Sequence, residues 1–138
     1  MSGEKKILVL PGAIWQVPIV KKIREMGYSS IVVNPAADSP AFKYADKSIQ
    51  SDIFAKQNYL DAIRTMHIDA VLSDECDIAT RLIAELADSL DLPSQGQDMA
   101  ELYTNKVRMR EFLRDHNLPC PVFQTCHTLD EALIFYRN

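Results

Sequence analysis

Short apolar runs alternate with amphipathic stretches along most of this chain. Residues 6–10 (KILVL) are apolar after Lys6 and rich in branched side chains, the pattern of a strand buried on both faces. Pro11-Gly12-Ala13 breaks the run. Over 15–26, Val17, Val20, Ile23 and Met26 recur at helical spacing among Lys21, Lys22, Arg24 and Glu25, which predicts a helix with one buried stripe. Pro18 fits only its first turn, and Gly27 stands where a helix-ending glycine would. Residues 31–33 predict a second buried strand, stopped by Asn34-Pro35. A third, shorter strand is expected over 47–50 and a fourth over 70–72. Between these two, 54–66 reads as a helix with Tyr59, Leu60, Ile63 and Met66 inward. Asp77 is placed to cap a helix through Leu90 that buries Ile78, Leu82, Ile83 and Leu86.

This alternation predicts an α/β fold: a Rossmann-like, mostly parallel sheet with helices on both faces and right-handed crossovers. The register changes after Leu92-Pro93-Ser94. Residues 99–103 and 106–117 read as consecutive helices with no strand between them, and Pro119 and Pro121 stop the second. A strand is expected over 122–126. Thr128-Leu129-Asp130-Glu131 has the spacing of a capping box and opens a last helix containing Ala132, Leu133 and Phe135. Helix, strand and helix make a poor complete domain. The expected organisation is a domain over 1–94, then linker helices and the beginning of a second α+β domain over 95–138.

Composition narrows the function classes. The 138 residues are 47% hydrophobic and 25% charged with a formal net charge of −4, and the basic residues form no stripe, which argues against a nucleic-acid partner. No apolar run approaches the roughly 20 residues that span a bilayer, so no membrane partner is expected. The polar start, Met1 to Lys6, does not resemble a signal peptide. Cys76, Cys120 and Cys126 lack paired metal spacing and read as reduced thiols of a cytoplasmic protein.

Candidate chemistry sits at the predicted strand ends, where parallel sheets bind ligands. Gly12 and Ala13 follow the first strand and Gln16 begins the first helix. One glycine is too few for the dinucleotide fingerprint, so Gly12 is either a tight turn or part of a ligand cradle. Gln16 is either a ligand hydrogen-bonder or a polar residue of the helix start. Asn34 ends the second strand where a nicotinamide-binding enzyme carries an acid for the ribose, and it can equally be turn-forming. Asp74 and Glu75 follow the fourth strand; they suit a cation or polar substrate, or a helix start that favours negative charge. Lys106, Arg108, Arg110 and Arg114 on one helix have the look of a solvated face.

The segments KKILVLPGAIWQVPIVKKIREMGY (5–28), VVNPAADSPAFKYADKSIQSDI (32–53), IDAVLSDECDIAT (68–80) and LYTNKVRMREFLRDHNLPCPVF (102–123) together resemble the N-terminal part of ATP-grasp enzymes, nearest to carbamoyl-phosphate synthase large-chain-like ligases. The resemblance implies that the first domain is a pre-ATP-grasp domain. It would help hold a carboxylate or bicarbonate substrate through Gly12, Ala13, Gln16, Asn34, Asp74 and Glu75. It implies that Lys106, and second to it Arg110, reaches nucleotide phosphate. The complete enzyme would use ATP and Mg2+ to join a carboxylate to an amine or thiol through an acyl phosphate. The family's second phosphate-binding lysine and its acidic metal ligands are not in this sequence, so the chain alone is expected not to catalyse. A homodimer is also implied. Two rivals stand beside this reading: a nicotinamide- or nucleotide-sugar-binding Rossmann domain, and a free-standing Rossmann-like module for a nucleotide or small ligand.

Overall fold

The computed structural model describes residues 5–137. It divides into two compact units, Met1–Ala100 and Glu101–Asn138. The first is built on four parallel strands, β1 (Lys6–Val9), β2 (Ser29–Asn34), β3 (Lys47–Gln50) and β4 (Ala70–Leu72), in the order β3-β2-β1-β4. Leu8 of β1 lies opposite Ile31 of β2 and Val71 of β4, and Val33 of β2 opposite Ile49 of β3. The α/β expectation therefore holds, and the sheet is parallel at every pairing.

Side-chain alternation along the strands divides the core into two layers. Leu8, Leu10, Ile31 and Val33 pack with Tyr59, Ile63, Leu82 and Leu86, contributed mainly by α2 (Leu60–Met66) and α3 (Ala79–Ser89). Ile7, Val9 and Val32 pack on the opposite face with Val20 and Ile23 of α1 (Val17–Glu25). Burial of both faces explains why these strands read as continuous apolar runs. Pro18 lies in the first turn of α1, and Gly27 follows the helix with φ +74°, a conformation that glycine adopts without steric cost.

Expected boundaries move by a few residues. A 3-10 turn over Ile14–Gln16 leads into α1, and another over Lys56–Asn58 precedes α2. Asp77 does not cap α3. The Ala79 N–H donates to the Cys76 carbonyl at 3.0 Å and the Thr80 N–H to the Asp77 carbonyl at 3.2 Å, so main-chain turns use the donors a capping carboxylate would need. The same turns leave Ile78 67% exposed rather than buried.

The second unit contains α5 (Lys106–Asp115) and α6 (Leu129–Arg137); α4 (Gln97–Thr104) contains the boundary between units. The Asn105 side chain caps α5, accepting from the N–H groups of Val107 and Arg108 at 3.1 and 3.2 Å. At α6, Thr128 Oγ1 accepts from the Glu131 N–H, but the Glu131 carboxylate accepts from the His127 N–H, one residue before the partner a capping box requires. Residues 122–126 are not a strand. An extended segment becomes one only by pairing, and among the described residues no strand pairs with it.

Candidate ligand-binding crevice

Strand order reverses at β1: the chain moves outward from β1 through β2 to β3, then returns to place β4 on the other side. This is the switch point of a parallel sheet, where two loops diverge and leave a crevice. The Leu10 N–H donates to the Leu72 carbonyl at 3.1 Å, continuing the ladder to the rim. The Leu10-Pro11 peptide bond is cis, and Gly12 follows.

Gly12 is held tightly. Its N–H donates to Asn34 Oδ1 at 3.1 Å, and its carbonyl accepts from the Ser39 hydroxyl and, at 3.2 Å, from the Ala41 N–H. A Cβ here would overlap the Val32 side chain and come within 3.0 Å of Ser39 Oγ. The crowding explains the glycine at this position, although its backbone is not in the left-handed region. Gly12 and Asn34 thus come together, each using a polar group on the other. Ala13 is half-buried, and its carbonyl accepts from the Gln16 N–H at 3.2 Å.

Gln16 joins the two loops. It is only 1% exposed, and its side-chain amide nitrogen donates to the backbone carbonyl of Asp74. Its Oε1 is buried with no hydrogen-bond partner. Such an orphaned acceptor costs about 1–3 kcal/mol. Beyond it, Ser73 Oγ is also buried and unpartnered. Glu75 adopts φ +51° and is one of the residues lining a cavity of about 430 Å³, with Ser73, Cys76, Asp77, Thr80 and Pro93. Asp74 is half-buried and is not among the cavity's lining residues.

Lys106 and Arg110 belong to the second unit. Four residues apart on α5, they share one helix face. Lys106 is exposed and Arg110 half-buried, and neither side chain has a hydrogen-bond or ion-pair partner among the described residues. Sequence reasoning missed Ser39 and Ser73. Ser73 had a usable signal, because it directly follows a predicted strand. Ser39 had none, because its partner is a backbone carbonyl 27 residues away. Cys76, Cys120 and Cys126 are free thiols, and no described helix is long and apolar enough to cross a membrane.

No protein-family model matches this chain, and no curated protein matches its sequence. Solved structures do match. N5-carboxyaminoimidazole ribonucleotide synthetase from Thermotoga maritima aligns over 96% of this chain and 36% of its own, with a TM-score of 0.76 and 22% identity. L-amino acid ligase from Bacillus licheniformis aligns over 95% of this chain and 35% of its own, at 0.73 and 20%. The biotin carboxylase domain dimer of the Hydrogenobacter thermophilus 2-oxoglutarate carboxylase, a complex with MgADP, ADP and bicarbonate, aligns over 96% and 32%, at 0.74 and 16%. The chain spans about a third of the length of these proteins. Likeness at this level of identity is likeness of fold, and the fold is that of the N-terminal third of ATP-grasp enzymes.

Proposed function

We propose that this chain is the substrate-side N-terminal portion of an ATP-dependent ligase. The complete enzyme would join a carboxylate or bicarbonate to an amine or thiol nucleophile through an acyl phosphate. The observation that carries the reading is the switch-point crevice: Gln16 and the Asp74–Glu75 loop meet at the carboxyl ends of β1 and β4. The likeness to ligases and carboxylases over nearly the whole chain supports it. In this reading residues 1–94 form the substrate wall, and 95–138 begin the nucleotide domain.

The second unit's part is electrostatic. Lys106 and Arg110 present cationic groups on one face of α5, which suits charge-assisted hydrogen bonds to phosphate oxygens. ATP would supply the phosphoryl group that activates the carboxylate. Magnesium has no matching donor set here: among the described residues no three His, Cys, Asp or Glu side chains stand together as ligands. The purified chain is expected to show no sustained ATP turnover with magnesium, a carboxylate and an amine, and turnover there contradicts the reading. Titration with ATP and with NADH tests the binding part. ATP binding more tightly is the expected result, and tighter NADH binding turns the assignment toward a nicotinamide domain. Homodimerisation belongs to the proposal as well, and sedimentation at increasing concentration tests it.

One observation favours a second reading, a free-standing small-ligand module: every residue lining the cavity of about 430 Å³ belongs to the first unit. That reading predicts that residues 1–100 alone bind a small ligand as tightly as the full chain.

A further inference from the structure

The cavity beyond β4 has the size of a ligand site. Its volume of about 430 Å³ falls within the roughly 300–1,000 Å³ of small-molecule pockets. Its lining is of two kinds. Ser73, Glu75, Asp77, Thr80, Ser94 and Gln95 bring hydroxyls, carboxylates and an amide, while Val71, Ile83 and Pro93 bring apolar surface. Among the described residues no Lys, Arg or His lines it. Ser73 Oγ is buried and has no hydrogen-bond partner, although a hydroxyl can both donate and accept. Nor does any acceptor among the described residues hold the main-chain N–H groups of residues 73–78.

This mixture of free donors and free acceptors discriminates between ligand classes. An anion would use the hydroxyl and N–H donors, but it would meet two carboxylates with no cation to offset them. An ammonium ion would satisfy the carboxylates and leave the donors unused. A neutral polyol does both, because each of its hydroxyls donates to a carboxylate or accepts from an N–H or hydroxyl group. Its C–H surface suits the apolar part of the lining. We propose that this cavity binds a small neutral polyol of the monosaccharide class, with the Ser73 hydroxyl among its hydrogen-bonding partners. This rests on the second reading above, which takes the cavity as a small-ligand site, and it names the ligand class.

The experiment is an amide NMR titration of the full chain at neutral pH and constant ionic strength. The probes are D-xylose, tetrahydropyran, ethanolamine hydrochloride and sodium acetate. D-xylose is expected to shift the Ser73, Thr80 and Ser94 amides saturably. Tetrahydropyran, the same ring without hydroxyls, is expected to bind about tenfold more weakly or less, as loss of one or two net hydrogen bonds implies. Ser73→Ala is expected to weaken D-xylose about tenfold while leaving the thermal midpoint unchanged or higher, because the deleted hydroxyl has no partner in the folded chain. Ethanolamine or acetate binding more tightly than D-xylose overturns the polyol class and leaves the ligand site standing. Equal affinity for tetrahydropyran, or unchanged D-xylose affinity in Ser73→Ala, overturns recognition through hydroxyls. If no probe moves these amides, the polyol and the cavity as a small-ligand site fall together.

Discussion

The two compact units hold themselves together differently. The first has central strands, β1 and β2, buried on both faces, with Leu8, Val9, Val32 and Ile63 fully inaccessible. The second contains two capped helices, yet neither α5 nor α6 has a fully buried residue, and Val122 beside them is 89% exposed. Local signals such as Asn105 and Thr128 suffice to define helices. A core requires side chains that converge from distant parts of the chain. The contrast teaches that helix capping and core formation are separate achievements, and that buried apolar side chains are concentrated in the first unit.

The largest test of that contrast is a matched pair of truncations. Ile63→Ala is expected to cost about 2–5 kcal/mol, because it opens a cavity in the layer beneath the sheet. Leu133→Ala, on a half-exposed position of α6, is expected to cost less than about 1 kcal/mol. Urea denaturation measures both, and equal losses would erase the distinction. Gly12→Ala comes next, at about 1–3 kcal/mol, since the added methyl group overlaps Val32. Its thermal midpoint should fall even though no hydrogen bond is deleted.

Asn105→Ala sharpens the comparison from the other side. Loss of the two capping bonds is expected to cost about 1 kcal/mol locally. Hydrogen exchange should quicken at the start of α5 while β1 remains protected. An equal loss of protection in both places would mean that the units unfold as one.

The smallest effect concerns pH. Burial, with the nearby charge of Asp52 adding to it, pushes the Tyr59 phenol up to about 12. Between pH 10 and 12 the unfolded chain loses this proton while the folded chain keeps it, so stability falls as pH rises through that window. Below pH 10 the contribution is fully present. Tyr59→Phe should flatten the alkaline limb of the stability profile. It should also cost about 1 kcal/mol at neutral pH through loss of the hydroxyl's bond to the Ile53 carbonyl.

Much of this architecture was legible in one dimension. Continuous branched runs marked β1 and β2, the bounds of β3 and β4 matched those read from the chain, and the stripe of Val20 and Ile23 marked the buried face of α1. These features depend on local periodicity, which sequence carries directly. The start of α3 departs from expectation because the Asp77 carboxylate competes with backbone carbonyls that lie three residues before each donor, and sequence does not show which acceptor wins. Residues 122–126 were misread because a strand is a relation between two segments, and propensity describes only one.

The candidate site divides along the same line. Asp74, Glu75 and Gln16 were visible as polar residues at strand ends, so the chain by itself determined the parallel scaffold and the chemistry available at its rim. Tertiary structure alone decided how those groups are used: Gly12 locked to Asn34 across 22 residues, and Gln16 joined to Asp74 across 58. The reason is that a hydrogen-bond ledger closes only in three dimensions. Whether a strand-end loop offers donors or acceptors to a ligand depends on which groups distant segments have already engaged.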